Sequence, residues 1–183
     1  TARSKMAAVF RGYPRYEVFY PEDMFEDLLA GQGQYSLLSL ENVLADSVDA
    51  VVIFPESPGA LVELGAFANN EKLVRKLICV ANLKYKNKKS FINYGPLRLI
   101  RSSNSGRVFY VNYDDLSDDK EKFVIYRKID AAVRSVKKLN ATPHGVANIL
   151  DTESFVLSCI YISDQIDNVT LYKLVKSATS SEA

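Results

Sequence analysis

The sequence predicts an α/β fold in which helices flank a parallel sheet, and two observations carry this prediction. Short apolar runs alternate with segments of helical spacing between residues 16 and 111, which is typical of strands joined by helical crossovers. The run DAVVIF at Asp49–Phe54 is too continuously apolar for a strand with one face in water. We therefore expect a doubly wound domain in which this run is a central strand.

The remaining elements follow from local signals. Strands are marked by β-branched and aromatic residues near proline or glycine, and helices by apolar residues three or four positions apart. These signals predict, in chain order, a helix over Ser4–Phe10, a strand over Tyr16–Tyr20, a helix opened by Pro21, a loop at Ala30–Gln34, a helix over Ser36–Ser47, a helix from Ser57 to about Lys72, a strand over Lys76–Ala81, a short helix over Pro96–Arg101 and a strand over Arg107–Val111.

Chain length and a change in composition indicate two parts. The chain has 183 residues and becomes highly charged after Asp114, whereas a usual domain has roughly 100 to 150 residues. We expect an α/β domain over 1–114 and a helical region over 115–183, the latter short of a complete core. The start of a winged-helix domain is one candidate for this region. We also expect the first strand of the sheet to precede Thr1, because the first helix has no strand before it.

Composition and charge limit the possible classes of function. The net charge is +1, so any surface for nucleic acid must come from local clustering of basic residues, and no stretch approaches the ~20 apolar residues of a membrane span. Cys79 and Cys159 each lie in an apolar run, which predicts buried, reduced thiols and a cytoplasmic protein. His144 is the only histidine, so we expect no metal site, and we expect no cofactor.

The most informative segment is Phe54–Gly65, where the buried strand turns into a helix. Ligands of open α/β sheets lie beyond the carboxyl ends of strands, next to helix N-termini with free N–H groups. Ser57 is placed to cap the helix, and Gly59 lets a ligand approach the backbone. Glu63, one turn further, would then project toward the same opening, with Glu56 at the end of the strand.

Two carboxylates in this position suit the cleavage of a glycosidic bond. The sugar gains oxocarbenium character as its C1′–N bond breaks, so one carboxylate attacks C1′ or stabilises the charge while a second acid assists the leaving base. Glu63 is the candidate for the first role and Glu56 for the second. The alternative is structural: a glutamate on an amphipathic helix is usually solvated, and one in a turn such as PESP usually caps it.

Other residues near predicted strand ends are candidates for substrate binding, namely Tyr20, Glu22, Asn42 and Asn93. Each also has a structural interpretation. Tyr20 suits the core, Glu22 suits a helix N-terminus, Asn42 suits a solvated helix face and Asn93 suits a turn before Gly95. A basic loop contributes candidates for contact with a phosphate backbone, or else is simply solvated: Lys84, Lys86, Lys88 and Lys89.

Three motifs together resemble one known family across nearly the whole chain from Arg3 onward. They are YPED at residues 20–23, PESPG followed by ELG at residues 55–65, and FINYGP at residues 91–96. The sequence resembles the nucleoside deoxyribosyltransferase-like effectors of bacterial retrons, which are anti-phage defence systems. The resemblance implies a Rossmann-like fold and maps the family's nucleophilic glutamate onto Glu63.

The same resemblance implies what the protein does. It implies a toxin-like N-glycosidase that acts on NAD, a nucleotide or a nucleoside, with water as the acceptor in a hydrolase. It also implies partners, namely the retron reverse transcriptase and its RNA-linked DNA, and it is compatible with a homodimer or a higher assembly. A catalytically silent module that senses nucleotides or binds nucleic acid stays open as the alternative, because a fold alone does not fix an activity.

Overall fold

A parallel sheet of three strands organises the fold in the computed structural model, which describes residues 1–23, 36–142, 144–163 and 165–181. The strands are β1 (Val51–Ile53), β2 (Leu77–Asn82) and β3 (Arg107–Val111), in the order β1-β2-β3. Both neighbouring pairs are parallel. Among the described residues β2 is therefore the central strand, and β1, which contains most of the predicted Asp49–Phe54 run, lies at the edge of the three strands. Because β1 and β2 are both apolar runs, hydrophobicity alone does not predict which of them lies at the centre of the sheet.

The predicted helices that lie in the described residues follow the predicted order, with ends that differ by a few residues, and the short helix α4 over Phe91–Tyr94 was not predicted. The helices are α1 (Ala2–Arg11), α2 (Leu37–Ser47), α3 (Pro58–Ala68), α4 (Phe91–Tyr94), α5 (Pro96–Ser102), α6 (Asp119–Leu139), α7 (Ile149–Ser163) and α8 (Asn168–Ser181). Single 3₁₀ turns cover Leu73–Arg75, Leu83–Tyr85 and Tyr113–Ser117. The helix predicted to open at Pro21 is present over residues 21–23, whereas the predicted loop at Ala30–Gln34 lies outside the described residues. None of the described helices combines the length and the apolar character that crossing a membrane requires.

Side chains of β2 alternate between two hydrophobic clusters, one on each face of the sheet. Ile78 and Val80 pack in the cluster that includes residues of α1 and α6. Leu77 and Cys79 pack in the cluster that includes residues of α3 and α5. These four side chains are completely buried, which explains why the sequence of this strand is a continuous apolar run.

The two cysteines are free, but only one is buried as predicted. Cys79 is fully inaccessible, and burial raises the pKa of its thiol to about 12. Cys159 is half-buried on α7. The apolar residues around Cys159 belong to a helix whose described hydrophobic side chains are largely exposed. Apolar neighbours in the sequence therefore did not predict that Cys159 itself would be buried.

Residues 16–20 were predicted to form a strand, but they are not part of the three-stranded sheet. Tyr16 and Val18 instead pack their side chains against the cluster that contains Met6 and Ile129. The aromatic and β-branched pattern therefore correctly indicated a segment packed on the core. It did not specify ladder hydrogen bonds, because such residues are favoured wherever a flat apolar surface has to be covered.

The chain divides into two compact units, Thr1–Ala141 and Thr142–Ala183. The first unit contains the sheet and the long helix α6, whose inward residues Ile129 and Val136 are completely buried. This unit extends beyond the predicted domain over 1–114 because α6 covers one face of the sheet. The second unit contains α7 and α8. Division into domains after Asp114 stays a prediction.

Asp130 of α6 is expected to contribute measurably to stability. Its buried carboxylate accepts hydrogen bonds from the Tyr16 hydroxyl and, at 2.8 Å each, from Arg15 and Arg134. Burial would raise the pKa of Asp130, but these donors outweigh it and hold the pKa below its ordinary value. Replacement by Asn should lower the free energy of unfolding by about 1–2 kcal/mol. This is less than for a fully buried ion pair, because both arginine side chains are more than half exposed and can be hydrated once the carboxylate is lost.

Urea unfolding at several pH values checks the Asp130→Asn prediction. A group with a lowered folded-state pKa stabilises the protein above its unfolded pKa and loses this effect as the pH falls, so the difference from wild type should shrink in acid. Asp119→Asn is the matched control, since Asp119 lies on the same helix with its side chain 93% exposed. Equal effects of the two substitutions at neutral pH would contradict the assignment.

Candidate active site

The turn from β1 into α3 has the predicted capped geometry. The side chain of Ser57 accepts a hydrogen bond from the backbone N–H of Ala60 at 3.2 Å, and Pro58 begins the helix. A proline there sacrifices no helical hydrogen bond, and the cap fixes the direction in which the helix leaves the sheet. The N-terminus of α3 therefore lies just beyond the carboxyl end of β1, as predicted.

Glu63 leans back over the first turn of this helix. Its Oε1 atom lies 3.9 Å from the position that a Cβ atom on Gly59 would take, and the Ser57 hydroxyl oxygen lies at the same distance from that position. Gly59 therefore keeps open the space between Glu63 and the cap. The side chain of Glu63 is half-buried, and burial and the nearby Glu22 raise its pKa, while Arg3 opposes this rise.

Arg3 of α1 connects the remaining charges of the site. Its guanidinium donates a hydrogen bond of 2.5 Å to Glu22 and lies 4.8 Å from the centre of the Tyr20 ring, which Arg11 also faces at 4.7 Å. Burial would raise the pKa of Glu22, but a backbone hydrogen bond and Arg3 hold it below its ordinary value. Glu22 is thus the ionised partner of Arg3, and Tyr20 supports that cation.

Glu41 of α2 is a further carboxylate close to Glu63, and sequence analysis did not identify it. Only 7% of the residue is exposed. Burial, together with the nearby Glu63 and Glu22, raises the pKa of Glu41 to about 7. We call Glu22, Glu41 and Glu63 the carboxylate cluster. Its members differ in protonation, with one paired carboxylate and one group that keeps its proton close to neutral pH.

Glu41 could have been found from helical spacing. It lies three positions before Leu44 and four before Ala45, which are both buried, so it falls on the stripe of α2 that faces inward. A carboxyl group on such a stripe is costly to bury and therefore marks a candidate functional position. Arg3 gave no comparable signal, because its role depends on how α1 packs relative to residues 20–22.

Glu56, the predicted second carboxylate, binds the N-terminus of α1. Its two carboxylate oxygens accept hydrogen bonds from the backbone N–H groups of Ala2 and Arg3, at 2.9 Å and 3.0 Å. A carboxylate at a helix N-terminus satisfies donors that the helix leaves open and interacts favourably with the helix dipole. This contact positions α1, and with it the guanidinium of Arg3, beside the carboxylate cluster.

Glu56→Ala tests this positioning contact. We expect the free energy of unfolding to fall by about 1–2 kcal/mol, as for the loss of a good helix cap, because two backbone donors of α1 lose their acceptor. Urea unfolding measures the change, with Glu71→Ala as the control for loss of an exposed glutamate. Unchanged stability together with complete loss of turnover would instead support the acid role predicted for Glu56.

The two candidate asparagines are held by backbone groups. The amide of Asn42 donates to the carbonyl of Leu38 at 2.7 Å, within its own helix. Asn93 donates to the carbonyls of Tyr85 and Lys88, at 2.9 Å and 2.7 Å. Both therefore make structural contacts, and their predicted contact with a substrate stays a prediction.

The four candidate lysines of the basic loop, Lys84, Lys86, Lys88 and Lys89, are all exposed. Tyr85 lies between two of them, with its ring centre 4.9 Å from the ammonium of Lys84 and 5.3 Å from that of Lys88. Within the described ranges, no group of three or more His, Cys, Asp or Glu side chains is arranged to hold a metal ion. The charged side chains described at the candidate site are the carboxylates and Arg3.

Comparisons with known proteins agree with this picture of a retron protein. The "Retron Ec86 putative ribosyltransferase/DNA-binding protein" of Escherichia coli is 46% identical over 187 residues, which cover 98% of this chain and 61% of that protein. The "Retron Ec73 putative ribosyltransferase/DNA-binding protein" of Escherichia coli is 29% identical over 181 residues, which cover 90% of this chain and 57% of that protein. The chain thus spans about three-fifths of the length of these relatives.

The family description "STM3845 retron effector protein" matches residues 1–183, the whole chain. This match and the 46% identity to the Ec86 protein confirm the expectation of a retron effector that the three motifs raised. The chain belongs to the STM3845 retron effector family.

Proposed function

We propose that this retron effector cleaves an N-glycosidic bond in NAD, a nucleotide or a nucleoside during antiviral defence, as a toxic hydrolase with a Rossmann-like fold related to nucleoside deoxyribosyltransferases. The observation that carries the proposal is the arrangement of Glu63, half-buried over Gly59 at the N-terminus of α3, near the buried Glu41, whose pKa is raised to about 7 by burial and by the neighbouring Glu63 and Glu22. The names of the two relatives as ribosyltransferases support the same class of chemistry.

The carboxylate cluster suits a two-step displacement. The Glu63 carboxylate attacks C1′ of the sugar, the C1′–N bond breaks, and the bonding electron pair leaves with the base. Glu41 supplies the proton that a neutral nucleobase needs as it departs. Glu41 is then a carboxylate and removes a proton from water, whose oxygen attacks C1′ and releases Glu63. The same group thus acts as acid and then as base.

Other residues bind and position the substrate. The backbone N–H of Gly59 belongs to the first turn of α3 and has no acceptor within the helix, so it is a suitable donor for a sugar hydroxyl or phosphate next to the Ser57 cap. Glu22 and Tyr20 hold Arg3 beside Glu63. A guanidinium in this place balances the negative charge of the cluster and offers a contact for a phosphate.

The proposal extends to partners. The retron reverse transcriptase and its RNA-linked DNA hold the effector in check, and Lys84, Lys86, Lys88 and Lys89 contact the nucleic acid. The helical region over 115–183 contributes to this assembly, either as the start of a winged-helix domain or as a surface for a homodimer or higher assembly. Family membership supports an association with the retron, and the relatives' names as DNA-binding proteins support a nucleic-acid contact.

Chromatography of reaction mixtures tests the proposed function. The full-length protein is incubated with NAD, nucleotides or free nucleosides, in the presence and absence of reverse transcriptase and RNA-linked DNA. We expect wild type to release nicotinamide or a nucleobase once freed of its partners, and Glu63→Gln to release none. If neither protein consumes any substrate under any condition, the nucleotide-sensing or nucleic-acid-binding module becomes the better account.

A further inference from the structure

An open cavity of about 430 Å³ lies next to the basic loop. Two lysines of the loop and two arginines of α5 line it: Lys86, Lys88, Arg98 and Arg101. Asn93 and Tyr94 contribute polar and aromatic surface. The cavity therefore joins part of the predicted lysine cluster to two arginines that the sequence pattern did not connect with it.

The positive charge of this cavity is not compensated by nearby carboxylates. Its lining contains four cations and no acidic residue. Among the ion pairs of the described residues, none involves these four cations, whereas Arg3, Arg15 and Lys137 elsewhere in the first unit are each paired with an acidic residue. An unpaired cluster of this kind attracts an anionic ligand and provides contacts for phosphate groups.

Exposed aromatic rings are carried by the segments next to these cations: Tyr94 lines the cavity, and Phe91 precedes it on the same helix. Phe91 and Tyr94 lie one turn apart on α4, with 81% and 59% of each residue exposed, and Tyr85 is 45% exposed. Gly95 ends this turn, and a Cβ atom there would approach the carbonyl oxygen of Phe91 to 2.9 Å and its ring to 3.6 Å. The turn that carries Phe91 thus requires glycine at position 95.

A hydrogen-bond network fixes the wall of the cavity. Asn93 donates to the carbonyls of Tyr85 and Lys88 and accepts from the Tyr110 hydroxyl at 2.8 Å. Arg101 in turn donates to that hydroxyl at 2.5 Å. Since Tyr110 is on β3, the loop and α5 are both tied to the sheet. The backbone of the loop and the side chain of Arg101 are thus held in place before a ligand arrives, which reduces the entropy lost on binding.

We propose that this surface, formed by Lys86, Lys88, Arg98, Arg101, Phe91 and Tyr94, binds single-stranded nucleic acid. The cations contact successive phosphates, and the two rings stack on unpaired bases. Cations alone would suit a duplex as well, but bases in a duplex are already stacked and do not present their faces to exposed rings. The inference rests on the proposed association with RNA-linked DNA and assigns part of that contact to the first unit.

Fluorescence anisotropy with labelled dT15 and rU15 oligonucleotides tests the proposal on the full-length protein. We expect Phe91→Leu to weaken binding about tenfold and Phe91→Tyr to retain it, because only the latter keeps an aromatic face at this highly exposed position. The double variant Lys86→Ala/Arg98→Ala should reduce the slope of log affinity against log salt by about 1.4, or about 0.7 for each lost phosphate contact. Lys72→Ala/Arg75→Ala is the control with the same loss of charge, because both residues are exposed and lie outside this surface, and it should leave the slope near that of wild type.

Three results would overturn the proposal: no binding of either oligonucleotide, equal binding by Phe91→Leu and wild type, or equal salt slopes for the two charge variants. Binding of a 15-base-pair duplex as tight as that of the single strands, and insensitive to Phe91→Leu, would also overturn it in favour of a general polyanion site. Glu63→Gln should bind the oligonucleotides like wild type, so a failed glycosidase assay and a failed binding assay are distinguishable.

Discussion

Glu63→Gln is expected to reduce cleavage of the N-glycosidic bond by about a thousandfold or more. The amide keeps the size and most of the hydrogen bonding of the carboxylate, but it neither attacks C1′ nor carries the charge that stabilises an oxocarbenium ion. Loss of a nucleophile removes stabilisation that is present mainly in the transition state, so kcat should fall while KM changes little. Single-turnover release of the base, followed by chromatography, measures the effect.

Two control variants show whether the loss of activity is specific to the Glu63 carboxylate. Glu71→Gln removes an exposed carboxylate shortly after the same helix and should leave turnover unchanged. Glu63→Asp keeps the charge but withdraws it toward the helix, so it should retain a small residual activity that Glu63→Gln lacks. If Glu63→Gln turns over substrate at a rate comparable to wild type, Glu63 is not the nucleophile and the carboxylate cluster has another role.

Local signals were sufficient to predict much of the fold and the start of α3. The SPG sequence at residues 57–59 specifies a cap, a proline at the first helical position and an open backbone, and each depends on neighbours within a few residues. The strand over Arg107–Val111 was predicted with its observed ends for the same reason. By contrast, the ranking of β1 and β2 within the sheet depends on packing between distant segments, which an apolar run does not encode.

The roles of individual site residues depended on such distant packing. Glu56 was correctly located at the end of β1, yet its carboxylate is engaged by residues 2 and 3, more than fifty positions away. Asn93 was identified from its turn-like context, but the three groups that hold it come from the basic loop and β3. Sequence spacing identifies polar groups near a strand end. It does not determine whether they face a ligand or the protein's own backbone.

Glu41→Gln is expected to reduce release of a neutral nucleobase about 100-fold to 10,000-fold, the range typical of a lost general acid. Without a proton donor the base would have to leave as an anion, which is unfavourable. NAD differs, because its nicotinamide nitrogen is already positively charged and the ring departs as a neutral molecule. Bond cleavage in NAD should therefore be much less sensitive to Glu41→Gln than cleavage in a nucleoside. The comparison of both substrates thus assigns the step in which Glu41 acts.

The same substitution is expected to stabilise the protein above neutral pH. Burial, Glu63 and Glu22 raise the pKa of Glu41 from its ordinary value of 4.5 to about 7. A raised folded-state pKa means that a stabilising contribution is complete below the unfolded pKa and is lost as the pH rises through the folded pKa. Glutamine is neutral throughout, so the free energy of unfolding of Glu41→Gln should exceed that of wild type by about 3 kcal/mol at pH 8, since one pKa unit corresponds to about 1.4 kcal/mol and most of the rise is expressed at this pH.

Urea unfolding at pH 5 and pH 8 checks this second expectation, with Glu121→Gln on α6 as the exposed control. A free energy of unfolding that exceeds that of wild type at pH 8 but only slightly at pH 5, together with loss of base release, identifies Glu41 as a group whose burial lowers stability and serves the reaction. A stability gain without any change in turnover of either substrate would make Glu41 a buried carboxyl with no part in the chemistry. No gain at pH 8 would mean that the carboxyl is solvated or paired in solution, and the acid of the reaction would then have to be sought in Glu56.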